Sequence, residues 1–139
     1  MFVKICGITS EEDALLAVAM GADAVGFIFA PSTRQVQATR VRDIVTRLPR
    51  EILTVGVFRD AAPEQVLDIY QECRLTGVQL HGHETIEESQ WLSQRVEFLI
   101  RNDGASSLTT AEFWFRVGSL QYWGIEAFDE QGSIGHTIV

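Results

Sequence analysis

Short apolar runs alternate with helix-patterned stretches along most of the chain, and the runs begin about every 20 to 29 residues. Residues 2–6, 24–29, 52–58, 77–82, 96–100 and 122–128 read as strands. Between them, residues 14–20, 39–48, the segment opened by Asp60 and Pro63, the segment opened by Thr85, and Thr110–Val117 read as helices. A strand that is followed each time by a helix returns to the next strand in the same direction, so the pattern specifies repeated right-handed βα units around a parallel sheet. A flavodoxin-like open sheet needs about five such units and a full (β/α)₈ barrel needs eight. With about six strands and five helices, the chain is expected to be an incomplete set of parallel (β/α) units, in one domain over residues 1–139.

Local signals support the helix boundaries. Ser10 and Asp13 have capping-box spacing, with Asp in place of the usual Glu or Gln, and Gly21 closes the helix that follows. Val41, Ile44, Val45 and Leu48 form one apolar helix face, as do Val66, Leu67, Ile69 and Tyr70. Pro63 suits a first helical turn. Thr85 and Glu88 form a second capping box, with Ile86 and Leu92 expected to face inward.

At 139 residues the chain can bury roughly two-thirds of its unfolded surface. It is 46% hydrophobic and 22% charged, which excludes intrinsic disorder. A net charge of −8 argues against nucleic acid or an anionic membrane as a partner. It leaves room for a small anionic substrate, because local N–H groups outweigh distant surface charge. No run approaches a membrane span and the N-terminus lacks a signal region, so a cytoplasmic location is expected. Cys6 and Cys73 show neither disulfide nor metal spacing, and His83 and His136 have no partner at ligand spacing.

The most informative stretch is Val3 to Asp13, a strand, a tight turn at Gly7 and a helix start. Lys4 and Cys6 are two apart and leave the strand on one face. Cys6 stands at the carboxyl end, where parallel α/β proteins gather reactive groups. Five motifs then follow in order: Lys4-Ile5-Cys6-Gly7-Ile8-Thr9, the run Gly21 to Phe29, Ser32-Thr33-Arg34, Val55-Gly56-Val57-Phe58, and Gln79-Leu80-His81-Gly82. Together they resemble the phosphoribosylanthranilate isomerase family, (β/α)₈-barrel enzymes of tryptophan biosynthesis.

The resemblance implies an Amadori rearrangement of N-(5-phosphoribosyl)anthranilate; no cofactor is expected, and the histidine spacing gives no metal site. By the same resemblance Cys6 matches the general base that removes the C2′ proton, and Arg34 matches an arginine that helps bind substrate. The second half departs from the family pattern. A lysine of the family's fifth strand is replaced by an apolar residue near Phe98. Glu126 stands where the family has an acidic Asp that opens the furanose ring; its extra methylene moves the carboxyl by about 1 Å, a displacement worth about 100-fold in rate. Gly132-Ser133-Ile134-Gly135 stands in place of a phosphate-binding Gly-Gly-Thr-Gly loop, and the family's seventh and eighth strands have no counterpart.

The expected site is therefore Cys6 and Glu126 for proton transfer, with Lys4, Arg34, His81, Gly132 and Gly135 around a small phosphorylated substrate. Each has a plainer reading: Cys6 as a small buried hydrophobe, Glu126 as a solvated loop carboxylate, Arg34 as a surface charge, His81 as a packing residue, and the glycines as a tail. The alternative function is a non-catalytic shortened barrel acting as a binding or assembly module. Six strands of an eight-stranded barrel leave two edges unpaired, so a homo-oligomer that covers those edges is expected.

Overall fold

Lys4–Cys6 forms β1, and each of the next four strands lies parallel beside the one before it: β2 (Ala24–Ile28), β3 (Leu53–Phe58), β4 (Gly77–Leu80) and β5 (Phe98–Asp103). The computed structural model describes the backbone of residues 3–103, 109–117, 120–128 and 134–138, and the side chains of residues 3–101. Four helices connect the parallel strands: α1 (Glu11–Ala19), α2 (Ala38–Val45), α3 (Pro63–Cys73) and α4 (Ile86–Ser93). The first five strands are thus an incomplete run of (β/α) units of the TIM-barrel type.

Side-chain caps fix the helix starts. The Ser10 hydroxyl accepts from the Asp13 N–H at 3.2 Å, and Thr85 and Glu88 form the complete reciprocal box expected of them. These contacts satisfy first-turn N–H groups that have no intrahelical partner. At the other end of α1, Gly21 adopts φ +91°, which lets its N–H and that of Ala22 reach back to Val18 and Ala17.

The helices cover one face of the sheet. Val25 and Phe27 pack with Ala14, Ala17, Val41 and Ile44. Farther along, Val78, Leu80 and Leu99 pack with Val66 and Leu92. On the opposite face Val55, Phe98 and Ile100 form a smaller cluster with Leu53. Burial on both faces explains why these strands read as continuous apolar runs. Cys73 is fully buried in the helix-side core, and burial pushes its thiol up to about 11. The unfolded chain ionises this thiol first, so stability is full below about pH 9 and falls as the pH climbs through 11. Urea midpoints compared at pH 8 and pH 10.5 should show that loss in the native sequence, and Cys73→Ala should remove this part of the slope.

Beyond β5 the chain differs from expectation. Residues 110–117, expected to be the fifth helix, belong to strand β6 (Thr109–Val117), which pairs antiparallel with β5. The expected sixth strand is the longer β7 (Leu120–Phe128), and β8 (Ile134–Ile138) follows it, both antiparallel to their predecessors. The described chain therefore has eight strands and four helices, in the order β1 to β8. The physical reason lies in Thr109-Thr110-Ala111-Glu112-Phe113-Trp114-Phe115-Arg116-Val117, which is rich in aromatic and β-branched residues. The two residues Gly118-Ser119 separate it from the next aromatic run, which is a hairpin signature in the sequence. A βα repeat extrapolated from the first half hides that signature.

At the other edge of the sheet β1 has, among the described residues, one neighbour, β2. Ile5 is 42% exposed there, and Leu15, Leu16 and Met20 of α1 are exposed as well. Ile86, expected to face inward, is also exposed.

Candidate active site

Gly7 makes the turn after β1 with φ +85°, a conformation that costs other residues a Cβ clash. The carbonyl of Gly26 on β2 accepts from both Gly7 N and Ile8 N at 3.0 Å. Gly26 also makes room for the thiol, since a methyl group there would lie 2.9 Å from Cys6 Sγ. Cys6 is half-buried at the carboxyl end of its strand.

The segment after β2 brings cations to this turn. Ser32 Oγ accepts from the Arg34 N–H at 3.1 Å. The Arg34 guanidinium then donates from Nη1 to the Cys6 carbonyl at 3.2 Å. It lies across Gly7 so closely that a methyl there would sit 2.2 Å from Nη1. Arg40 Nε donates to the Thr9 carbonyl at 2.8 Å. Arg34 is exposed, and a guanidinium carries five donors in a fork that matches carboxylate or phosphate.

Lys4 shares a strand face with Cys6, and its ammonium meets the Gln79 side-chain carbonyl of β4. Three strand spacings of about 4.8 Å would separate β1 from β4 by about 14 Å in a flat sheet. Contact between these side chains means that the sheet curls, and that Lys4 and Gln79 are on its concave side. His81 follows Gln79 by two positions and is exposed just past the end of β4; its N–H donates to the Phe58 carbonyl at 2.9 Å. The structure thus gathers Lys4, Cys6 and Arg34 at one end of the curved sheet, with His81 at the same end.

The second-half residues fare differently. Glu126 lies on β7, in register with Ala111, which pairs in turn with Asn102 near the end of β5. Because β6 reverses the chain and β7 reverses it again, β7 runs with β1–β5, and position 126 is near their carboxyl end. The Glu126 side chain lies outside the described residues. Gly135 is in β8, paired with Ala127, so it belongs to a strand and not to the loop expected of it. Gly132 lies outside the described residues. Among the described residues no group of three His, Cys, Asp or Glu side chains is placed to hold a metal ion, and no helix is long and apolar enough to cross a membrane.

Two features escaped sequence reasoning. Gln79 is polar within a buried strand, a signal that a partner must exist. Glu84, buried at 7% exposure, joins two loops. Its Oε1 accepts from Asp60 N at 3.0 Å and its Oε2 from Gly82 N at 2.8 Å. Asp60 accepts from His83 N at 2.6 Å, and this N–H holds the Asp60 carboxyl below the usual carboxylate range.

Comparison with known proteins agrees with this fold. The family model for N-(5'-phosphoribosyl)anthranilate isomerase matches residues 3–115. The chain belongs to the phosphoribosylanthranilate isomerase family. The isomerase of Desulforudis audaxviator is 45% identical over 112 residues, covering 79% of this chain and 55% of that protein. The solved isomerase of Thermotoga maritima superposes with a TM-score of 0.71 at 45% identity, covering 73% of this chain and 49% of that one. A phosphoribosylanthranilate isomerase solved with reduced 1-(o-carboxyphenylamino)-1-deoxyribulose 5-phosphate gives the same TM-score of 0.71, over 73% of this chain and 52% of that one. The chain spans about half the length of the curated isomerases it matches. The matched stretch contains Lys4, Cys6, Arg34 and His81 and stops before Glu126.

Proposed function

We propose that this chain binds N-(5-phosphoribosyl)anthranilate and catalyses its Amadori rearrangement, with Cys6 as general base and Glu126 as general acid. The observation that carries the reading is the Arg34 guanidinium bonded to the Cys6 carbonyl and lying over Gly7. It sets an anion-binding fork beside a thiol at the carboxyl end of a parallel strand, where a sugar phosphate can meet both.

In this reading the carboxylic acid of Glu126 protonates the furanose ring oxygen. The bond from that oxygen to C1′ breaks, leaving an iminium ion. The Cys6 thiolate takes the proton from C2′, the electron pair of that bond forms the C1′–C2′ double bond, and the iminium is neutralised to an enolamine. The electron pair of that double bond then takes a proton at C1′ while the C2′ hydroxyl loses its proton and the O–H pair forms the C2′ carbonyl, which gives the ketone. Arg34 and Lys4 hold the substrate's anionic groups and His81 lines the mouth. Turnover followed by anthranilate fluorescence tests the proposal: Glu126→Gln should lower kcat about 100-fold with KM little changed. Absence of turnover in the native chain overturns it.

A second reading is favoured by the family match stopping before Glu126: a binding module that holds the ligand without converting it. Saturable binding of the reduced product analogue without turnover is its signature. For the assembly, we infer a homo-oligomer that covers the β1 edge together with Ile5, Leu15, Leu16 and Met20. A dimeric relative from Thermotoga maritima is known. Sedimentation should show a dimer or larger, which Leu16→Glu dissociates; a monomer at all concentrations refutes it.

A further inference from the structure

Glu84 is a buried carboxylate that the reaction above does not use. Its two oxygens accept from the backbone of two different βα loops, Asp60 N after β3 and Gly82 N after β4. The same two loops are joined a second time, because Asp60 Oδ1 accepts from His83 N. Asp60 itself has φ 55°, a left-handed conformation that a non-glycine residue rarely adopts unless neighbours hold it. Its carboxylate packs against Gly82 so tightly that a methyl there would lie 2.5 Å from Oδ1. The Glu84 carbonyl accepts in turn from Arg101 Nη2 at 3.4 Å, which ties the clasp to β5.

His81 lies inside this clasp. Its own N–H is held by the Phe58 carbonyl, and the next N–H, that of Gly82, is held by Glu84. The peptide planes on both sides of the histidine are thereby fixed, and its side chain starts from a set direction at the mouth of the curved sheet.

We propose that Glu84 is a positioning residue: by clasping the loops after β3 and β4 it aims His81 at the ligand held beside Cys6 and Arg34. The inference rests on the functional reading above for its ligand but not for its geometry. A glutamine at this position has one accepting oxygen and one donating nitrogen, so it leaves either Asp60 N or Gly82 N facing a donor.

The test has two independent arms. In the first, the reduced product analogue is titrated into the native chain, Glu84→Gln, His81→Ala and the double variant. Glu84→Gln should weaken binding about 10-fold, and the double variant should bind no more weakly than His81→Ala alone. Native affinity in Glu84→Gln, or a full extra loss in the double variant, overturns the proposal. The second arm needs no ligand. The imidazole Cε1–Hε1 signals of His81, His83 and His136 are recorded by NMR in the native chain and in Glu84→Gln. The His81 signal should move while that of His136 stays. An unmoved His81 signal overturns the clasp, even if the native chain binds nothing and the functional reading has failed. If Glu84→Gln does not fold, Glu84→Asp, which keeps the charge and withdraws it by one methylene, gives the same readout.

Discussion

Cys6→Ala is expected to reduce isomerase turnover by about 100- to 10,000-fold, the range typical of losing a positioned proton-transfer group. The substitution removes the proposed base and leaves the turn intact. The Arg34 bond goes to the Cys6 backbone carbonyl, and the Gly7 and Ile8 N–H groups go to Gly26. Binding of the reduced product analogue should therefore change little, so the loss falls on kcat and not on KM. Cys6→Ser should be almost as inactive, since a hydroxyl is far less acidic than a thiol. Retention of native kcat in Cys6→Ala would remove the proton-transfer role from Cys6. The unfolding midpoint measured alongside separates loss of chemistry from loss of fold.

Phe27→Ala should destabilise the chain by about 3 to 5 kcal/mol, the range for emptying an aromatic site in a packed core. Phe27 is fully buried in the middle of β2 and belongs to the cluster formed with α1 and α2. Its neighbours sit on rigid elements, so the cavity can close only in part. The figure is a large part of the stability of an ordinary domain, and a urea titration should read it as a drop in midpoint with a similar slope. A loss under about 1 kcal/mol would mean that this sheet face is loosely covered. The same strand carries Gly26 against Cys6 and leads to Arg34, so Phe27→Ala should also weaken ligand binding at temperatures where the chain remains folded.

The first four βα units were legible because each of their signals is local. An apolar run of a few residues, a Ser or Thr cap and a closing glycine act within a turn of chain, and Ser10, Thr85 and Gly21 act as expected. Cys6 and Arg34 were legible for a different reason, their place after strand ends. Residues 110–117 misled because a repeat was extended past the point where composition still supported it. Aromatic and β-branched residues there made a strand the better local choice, and pairing with β5 and β7 completed it. Gly135 was misread because the family's phosphate loop was laid over it by resemblance, whereas pairing with Ala127 makes it part of β8.

The order of elements from β1 to β5, the parallel pairing within that run, the thiol at the end of the first strand and the arginine after the second were legible in the sequence alone, because caps, turns and apolar spacing act between near neighbours. Tertiary structure decided what meets what. Lys4 reaches Gln79, 75 residues away, only because the sheet curls, and Arg34 comes to rest on the Cys6 carbonyl, 28 residues away, only because β1 and β2 pair in one register. Glu84 serves two loops that no spacing rule connects. Such contacts depend on the summed geometry of several elements, and no short stretch of chain contains that information.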